Sequence, residues 1–209
     1  MTTYKALIFD LGKVVFDVSF DRTFQYWANL SGKSFDEIKN NFKFDTFFGA
    51  FERGEISAQV FRESISKQLN LSLSVHDFDK GWCNLYLETY NGIDELLSHL
   101  KTQYKIVALT NTNIIHNEVW TVKYADTLKH FEKIFSSHEI KLRKPEKQSY
   151  QIVLDYLQLD PSQTVFLDDN MENIHAAQQL GIQSILVTTQ VQMKLDLQQL
   201  GILNRSFTV

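Results

Sequence analysis

The sequence predicts an α/β fold in which a doubly wound parallel sheet carries an inserted layer of helices. Short apolar runs alternate with amphipathic stretches over most of the 209 residues, as they do in successive βαβ units. Between residues 16 and 90 this alternation stops, and helix-start signals replace it. A chain of this length suits one domain with an insertion. We therefore assign residues 1–16 and 90–209 to an α/β core and residues 17–89 to a helical cap.

Five short apolar runs are the strand candidates of the core. Each is too short for a typical helix, and most are rich in branched or aromatic residues, which favours strands. The predicted strands span residues 6–9, 105–109, 133–136, 164–167 and 184–187.

Three stretches between these runs place apolar residues on one helix face. The three faces consist of Ile93, Leu96, Leu97 and Leu100; of Tyr150, Val153, Leu154 and Leu157; and of Ile174, Ala177 and Leu180. Gly181 follows the last face and is a typical helix stop.

The segment from about residue 16 to residue 90 contains no convincing strand but several serine helix caps. Candidate caps are Ser34, Ser57 and the serines of the Ser72-Leu73-Ser74-Val75 stretch. Glu37 stands three residues after Ser34, the spacing of a capping box. After Ser57, apolar residues at helical spacing predict a shared face made of Val60, Phe61, Ile65 and Leu69.

Composition and charge narrow the class of protein. A hydrophobic content of 44% and a charged content of 22% are ordinary for a globular protein. The net charge of −4 argues against a nucleic-acid partner. No apolar run approaches the roughly 18 residues of a membrane span, and residues 1–5 do not resemble a signal peptide. Cys83 is the single cysteine, so no intrachain disulfide forms. We expect a cytoplasmic protein without a membrane partner; nothing predicts its oligomeric state.

Polar residues end the first two predicted strands. Asp10 closes the first apolar run two residues before Gly12, at the carboxyl end where open α/β sheets bind ligands. Thr110 and Asn111 end the second strand, where a hydroxyl or a backbone N–H can hold a phosphate oxygen. The simpler alternatives are a turn-capping role for Asp10 and a turn role for Asn111.

The adjacent carboxylates Asp168 and Asp169 close another apolar run. Two neighbouring negative charges repel each other and attract a cation. Mg²⁺ prefers a few carboxylates, water and substrate phosphate oxygens, and Asn170 and Asn173 add oxygen ligands or hydrogen-bond donors nearby. The alternative is an exposed acidic turn that caps a helix.

Lys144 precedes Pro145, which favours an extended backbone leading into the next helix. An ammonium there would neutralise the charge of a phosphate and of an attacking carboxylate. Because Lys141 and Arg143 are close by, the alternative is a solvated basic loop.

These features, in this order, resemble the haloacid dehalogenase superfamily, which consists mostly of phosphatases. The matching motifs are Phe9-Asp10-Leu11-Gly12, Leu109-Thr110-Asn111, Arg143-Lys144-Pro145-Glu146 and Phe166-Leu167-Asp168-Asp169-Asn170. The stretch Phe51-Glu52-Arg53-Gly54-Glu55-Ile56-Ser57, with Thr110-Asn111-Thr112-Asn113, is similar to the bacterial α-D-glucose-1-phosphate phosphatase subgroup.

The resemblance implies a Mg²⁺-dependent phosphatase acting on a small phosphorylated metabolite, with a sugar phosphate as the expected substrate. Asp10 would attack phosphorus and form an aspartyl-phosphate, and Lys144 would orient it. Asp10, Asp169 and the backbone carbonyl of Gly12 would hold Mg²⁺. The phosphoryl group would be bound by Thr110 and Asn111.

Gly12 departs from the pattern of the superfamily, whose phosphatases usually carry a second Asp at this position as general acid and base. Loss of a general acid commonly costs about 10²–10⁴ in rate. A glycine still supplies its carbonyl to the metal, and the glucose-1-phosphate subgroup also has glycine here. One hypothesis is that the substrate has a good leaving group, such as an anomeric sugar phosphate. Substitute donors in the sequence are Lys13, Asp17 and Asp21, although the two aspartates could instead cap the first helix of the cap.

Two rival functions remain open at this stage. A 2-haloacid dehalogenase would use Asp10 to attack carbon without a metal, which leaves Asp168-Asp169 unexplained. A catalytically weak member that binds a ligand or protein partner would explain Gly12. His116, close after the second motif, is expected to face solvent on a helix, with substrate contact as the alternative.

Overall fold

The computed structural model describes residues 3–204. Residues 1 and 2, which belong to the segment considered for a signal peptide, lie outside the described residues, as do residues 205–209. In the described part, no helix has both the length and the apolar character needed to cross a membrane.

A five-stranded parallel sheet forms the core and confirms the predicted fold class. The seven strands of the described chain are β1 Ala6–Phe9, β2 Phe16–Val18, β3 Tyr86–Thr89, β4 Lys105–Thr110, β5 Lys133–Ser136, β6 Thr164–Asp168 and β7 Gln183–Leu186. The sheet has the order β5-β4-β1-β6-β7. Strand β1 is central, with Ala6 opposite Lys105 on one side and Thr164 on the other. Because all five strands are parallel, their carboxyl ends meet at one edge of the sheet.

The strand predictions are confirmed to within one residue. β1 and β5 match their predicted ranges, and β7 begins and ends one residue earlier than predicted. β4 and β6 each continue by one polar residue, because Thr110 pairs with Ser136 and Asp168 pairs with Leu186 in the last rungs of the sheet. Thr110 and Asp168, the first polar residue at the end of each strand, therefore belong to the sheet itself.

Helices pack on both faces of this sheet and in a separate layer. The first five are α1 Phe20–Ser31, α2 Phe35–Asn41, α3 Thr46–Glu52, α4 Ala58–Leu69 and α5 Val75–Trp82. The others are α6 Ile93–Leu100, α7 Ile114–Lys123, α8 Ala125–Leu128, α9 Ser137–Ile140, α10 Lys147–Leu157, α11 Met171–Gln179 and α12 Gln190–Gln199. Every apolar residue predicted for the faces of α6 and α10 is buried, which confirms those two helix faces.

Helices α1 to α5 form a layer with its own aromatic core, which we call the helical layer. Its centre is a cluster of buried rings that includes Trp27, Phe61, Phe78 and Trp82. Helix α1 contacts both α2 and α5, and α4 contacts α2 and α3. The assignment of residues 17–89 to a separate domain stays a prediction.

The expectation that residues 16–90 contain no strand is wrong. β2 and β3 pair as an antiparallel ribbon where the chain leaves the core and where it returns. Each has only three or four residues, most of them half-buried, and their pairing has an irregular register. Such short strands carry too little alternation to be recognised in the sequence.

Three of the predicted serine caps are confirmed, whereas the prediction of a capping box formed by Ser34 and Glu37 is wrong. The side chains of Ser34, Ser57 and Ser74 each accept a hydrogen bond from a backbone N–H three residues on. Glu37 does not bond back to the Ser34 N–H, because its carboxylate pairs with Lys33 instead. On α4 the predicted Val60 is exposed, while the other three residues of that face are buried.

Candidate active site

Asp10 directly follows the central strand and lies at the edge where the carboxyl ends meet. Its backbone N–H donates to the carbonyl of Leu167 over 2.8 Å, which extends the pairing of β1 with β6 by one residue. The side chain is mostly buried, and its Oδ1 lies 2.9 Å from the Nζ of Lys144. The structure therefore brings together the first and third motifs, which are 134 residues apart in sequence.

Lys144 is buried to 1% exposure between two carboxylates, so the solvated basic loop is excluded. Its Nζ lies 2.9 Å from Asp10 and 2.6 Å from Asp168. The backbone around it is held by Asn111, whose Oδ1 accepts from the Lys144 N–H over 2.8 Å and whose Nδ2 donates to its carbonyl over 2.9 Å. The Asn111 side chain thus positions the Lys144 loop, a role that the sequence analysis did not assign to it.

The adjacent carboxylates Asp168 and Asp169 have different environments. Asp168 is fully buried and accepts from Lys144, from the Asn170 N–H over 2.8 Å and from the Asn173 Nδ2 over 3.0 and 3.1 Å. An exposed acidic turn is therefore wrong for Asp168, which instead anchors Lys144. Asp169 is half-buried and lines a cavity together with Asp10. Of the two asparagines, Asn173 is a donor to Asp168, and Asn170 caps α11 through the Glu172 N–H.

The charges at this edge of the sheet do not balance. Oxygen atoms of Asp10, Asp168 and Asp169 lie within 4.8 Å of one another, with the single ammonium of Lys144 between two of them. Burial raises the pKa of Asp10 to about 7; Lys144 opposes this rise and Asp168 adds to it. Burial and the neighbouring Asp168 also raise the pKa of Asp169. Burial opposes the charged form of Lys144, but the two carboxylates outweigh it and raise the pKa of the ammonium.

This donor set fits a divalent cation of the Mg²⁺ type. Asp10, Asp169 and Gly12 line one cavity, so two carboxylates and a backbone carbonyl would be candidate ligands, with water or substrate oxygens completing the set. A cation there would offset the excess negative charge and lower the pKa of both aspartates.

Gly12 is not required by the local backbone geometry. A Cβ atom added at this position would lie 3.5 Å from the side chain of Val18, which is an ordinary van der Waals contact. The left-handed conformation of this turn falls instead on Lys13, with φ of 59°. Residue 12 therefore has room for a side chain beside the cavity.

A cavity of about 330 Å³ opens between the carboxyl ends of the strands and the helical layer. The predicted site residues all line this cavity, and we call the part that they form its polar end: Asp10, Gly12, Thr110, Asn111, Lys144 and Asp169.

Of the three substitute proton donors, Lys13 alone lines this cavity within the described chain. The Asp17 carboxylate accepts from the Val18 N–H over 2.9 Å and from the Tyr90 hydroxyl over 3.3 Å. Asp21 pairs with Lys39 on α2 at 2.8 Å. The idea that either aspartate caps α1 is also wrong, because α1 begins after Ser19 with no side-chain cap.

The expectation that His116 faces solvent is wrong. His116 is buried and stacks on Trp82 with ring centroids 4.5 Å apart. Its Nε2 lies 3.0 Å from the Trp82 carbonyl and its Nδ1 3.0 Å from the Asn113 Nδ2. Burial lowers the pKa of His116 to about 3, so the ring is neutral at physiological pH. The helical layer covers this face of α7, and no pattern local to α7 indicates that contact.

Two ion pairs join the helical layer to the Lys144 loop, and sequence reasoning missed them. Arg143 bonds Glu52 through Nε at 2.9 Å and Nη2 at 2.7 Å. In the second pair the basic residue belongs to the helical layer and the acidic residue to the loop: Arg53 Nη1 lies 3.1 Å from Glu146. These pairs join two motifs that the sequence analysis had already singled out, but only as separate stretches. We call these four residues the clasp.

Gly54 lies at the same contact and needs to be glycine. Its φ is 62°, and an added Cβ would lie 2.6 Å from the carbonyl oxygen of His138. The Nζ of Lys141 also donates to its carbonyl over 3.0 Å. The backbones of the helical layer and the core therefore approach each other closely beside the clasp.

We expect Glu52→Ala to lower the free energy of unfolding by about 2–4 kcal/mol. Glu52 is buried, so its loss leaves the Arg143 guanidinium without its charge partner in a half-buried site. Urea denaturation measures the change. The matched control is Glu55→Ala, which removes a more exposed partner of Arg53 and should destabilise the protein much less. Equal losses in both variants would contradict a structural role for the buried pair.

Comparison with known proteins adds three findings. Residues 8–187 match the family model of haloacid dehalogenase-like hydrolases. The chain is 24% identical over 186 residues to a D-ribitol-5-phosphate phosphatase of Bacteroides thetaiotaomicron, an alignment that covers 86% of this chain and 90% of the relative. It is 29% identical over 207 residues to a sesquiterpene phosphatase of Aspergillus oryzae, covering 95% of this chain and 97% of the relative.

Among solved structures, the chain is similar to a haloacid dehalogenase family enzyme of Bacteroides thetaiotaomicron in complex with magnesium and inorganic phosphate. The TM-score is 0.78 at 28% sequence identity, over 90% of this chain and 96% of the other. The match therefore extends over both the sheet and the helical layer.

Proposed function

We propose that this chain, which belongs to the haloacid dehalogenase-like hydrolase family, is a Mg²⁺-dependent phosphatase of small phosphate monoesters. The observation that carries the proposal is the buried Lys144 ammonium, 2.9 Å from Asp10 and 2.6 Å from Asp168, with Asp169 in the same cluster. In this arrangement Lys144 holds the Asp10 carboxylate at the carboxyl end of the central strand. The Asp169 carboxylate is then available to bind a cation.

In the proposed reaction, an oxygen of Asp10 attacks phosphorus and the bond from phosphorus to the alcohol oxygen breaks. Water then attacks the phosphorus of the aspartyl-phosphate, and the bond from phosphorus to the Asp10 oxygen breaks. Lys144 orients Asp10 and offsets negative charge, while the Thr110 hydroxyl and the Asn111 backbone bind the phosphoryl oxygens. Asp10, Asp169 and the Gly12 carbonyl would hold Mg²⁺, which stabilises charge on the phosphoryl oxygens when bound.

The relatives support the phosphatase reaction more than any one substrate. Their names specify a polyol phosphate in one case and sesquiterpene phosphates in the other. Magnesium and phosphate accompany the similar solved structure. A sugar phosphate, and the α-D-glucose-1-phosphate subgroup in particular, stay predictions, as does the cytoplasmic location.

Phosphate release from a panel of phosphate monoesters, with Mg²⁺ and with EDTA, tests this function. We expect release that requires Mg²⁺, together with an adduct of beryllofluoride on Asp10. Halide release from 2-chloropropionate in the presence of EDTA would favour the dehalogenase instead. A folded protein that binds Mg²⁺ but releases neither product and forms no adduct would favour the binding role.

Mg²⁺ should stabilise the protein more at about pH 8 than at about pH 5.5. In the metal-free protein, burial raises the pKa of Asp10 to about 7, whereas the pKa of an aspartate in the unfolded chain is about 4. The free energy of unfolding therefore falls as the pH rises from about 4 to about 7. Above that range the ionised cluster is available to the cation; below it, Mg²⁺ competes with a proton. Thermal unfolding should show a gain of about 2–3 kcal/mol when Mg²⁺ is about a hundredfold above its Kd.

Asp169→Asn should remove most of this Mg²⁺-dependent gain, because it removes a proposed ligand. The matched control is Asp126→Asn, an exposed aspartate of α8 that pairs with Lys129. An unchanged gain in Asp169→Asn would contradict the proposed ligand set.

A further inference from the structure

Away from the strand ends, the wall of the cavity is apolar. The residues that form it come from β2, from the helical layer, from the segment between α5 and β3, and from α7. The apolar wall consists mainly of Phe16, Phe20, Phe44, Phe48, Leu85 and Trp120. Three of these side chains, Phe20, Phe44 and Phe48, belong to the helical layer, which faces whatever is attached to a phosphate bound at the polar end.

The aromatic part of this wall is preformed. Phe44 meets Phe20 edge to face at a centroid distance of 5.0 Å and meets Phe48 in the same way at 5.1 Å. Phe44 is nevertheless 58% exposed. A large apolar side chain held in place but left open to water beside a cavity is typical of a surface that an apolar ligand covers.

Three polar side chains of the wall have partners within the protein. Oε2 of Glu52 accepts twice from Arg143. Both ring nitrogens of His116 face protein atoms at 3.0 Å. The Thr112 hydroxyl accepts from the Trp120 Nε1 over 3.1 Å.

A sugar in this cavity would therefore lose the water around its hydroxyl groups and find few replacements for it. Sites that select hydroxylated substrates provide a matched donor or acceptor for each group, and buried polar groups without partners reduce affinity. A hydrocarbon chain or ring has no such requirement and gains from covering the apolar wall.

We infer that the alcohol part of the substrate is apolar, an inference that rests on the proposed phosphatase function. The substrate is a phosphate monoester whose alcohol carries rings or a hydrocarbon chain where a sugar would carry hydroxyl groups. An aromatic alcohol also leaves as a weaker base than an alkyl alcohol, which suits a site with glycine at position 12. This revises the sugar phosphate that the sequence analysis expected.

The decisive comparison is the kcat/KM of cyclohexyl phosphate against that of α-D-glucose 1-phosphate. The two rings are similar in size, and the sugar has the better leaving group, so a preference for cyclohexyl phosphate reports on the wall alone. We expect cyclohexyl phosphate to be favoured by at least about tenfold. Two further esters, 1-naphthyl phosphate and geranyl phosphate, show whether the site prefers an aromatic alcohol or a hydrocarbon-chain alcohol. A preference for glucose 1-phosphate would overturn the inference.

Phe44→Ser ties the preference to the wall. It should reduce the ratio of kcat/KM for cyclohexyl phosphate to that for acetyl phosphate, an acyl phosphate whose small acetate leaving group cannot cover the wall, by about fivefold or more. The matched control is Val122→Ser on α7, an exposed apolar residue outside the cavity lining, which should leave that ratio unchanged. An unchanged ratio in Phe44→Ser would contradict a wall contact.

Calorimetric binding to the Asp10→Asn protein separates this inference from the proposed function. The probes are 1-naphthyl phosphate and glucose 1-phosphate, both in the presence of Mg²⁺. Tighter binding of the naphthyl ester supports the apolar wall even if the unsubstituted protein turns over neither acetyl phosphate nor any ester of the panel, an outcome that would reject the phosphatase alone. Equal or weaker binding of the naphthyl ester rejects the apolar wall even if phosphate is released.

Discussion

Asp10→Asn should reduce phosphate release by at least about 10³-fold, the largest effect that we expect from any single substitution. An amide oxygen is a poor nucleophile, and an amide at this position cannot form the aspartyl-phosphate. The side chain keeps its shape, so the expected loss is in kcat rather than in folding. Steady-state kinetics on the best ester of the panel, with mass spectrometry of the quenched protein for the phosphoryl adduct, measure both consequences.

The same substitution should not destabilise the metal-free protein at neutral pH. Burial raises the pKa of Asp10 to about 7, whereas the pKa of an aspartate in the unfolded chain is about 4. At pH values above about 4, the ionised carboxylate is therefore less favourable in the folded state than in the unfolded chain. An amide carries no such charge, and Asp168 still pairs with Lys144 at 2.6 Å. An inactive variant with at least the original stability above about pH 7 would separate lost chemistry from lost structure.

Asp17→Asn is the matched control, since this carboxylate is close to Asp10 in sequence but does not line the cavity. It accepts from the Val18 N–H and the Tyr90 hydroxyl instead. The Asp17→Asn variant should release phosphate at the rate of the unsubstituted protein. Full activity of Asp10→Asn, or loss of activity in Asp17→Asn, would contradict the assignment of the nucleophile.

The core was predictable because its signals are local. A parallel strand buried on both faces is a continuous apolar run, and the polar residues that close β1, β4 and β6 interrupt those runs where the ligand edge lies. Asp10, Thr110 and Asp168 could therefore be found one strand at a time. Their convergence followed from the rule that parallel strands share a carboxyl edge.

The features that escaped prediction depend on contacts between distant segments. His116 belongs to a helix whose polar and apolar residues are weakly segregated, and its burial comes from Trp82, 34 residues earlier. The clasp joins Glu52 to a residue 91 positions away. Likewise, the different environments of Asp168 and Asp169 arise from Lys144 and Asn173, so two adjacent carboxylates could not be assigned separate roles from their spacing alone.

Gly12→Asp should raise the turnover of simple alkyl phosphates by about tenfold to a hundredfold, while changing that of aryl phosphates much less. The new carboxyl would supply the proton that an alkoxide leaving group needs and a phenolate does not. Its Cβ has room, lying 3.5 Å from Val18 in ordinary contact. Asp10 and Asp169 line the same cavity as position 12, and their negative charge would raise the pKa of the new carboxyl and favour the protonated form that a general acid needs.

Gly12→Asn is the matched control, because asparagine has the same size and polarity but no proton to transfer. The alkyl-to-aryl ratio of kcat/KM should rise in Gly12→Asp only, and the pH profile for alkyl esters should gain a falling limb as the new acid ionises. If both variants behave alike, proton donation is not what position 12 lacks, and the leaving group must be protonated by another cavity residue or by water. Lys13 would then be the first residue to substitute, since it lines the same cavity.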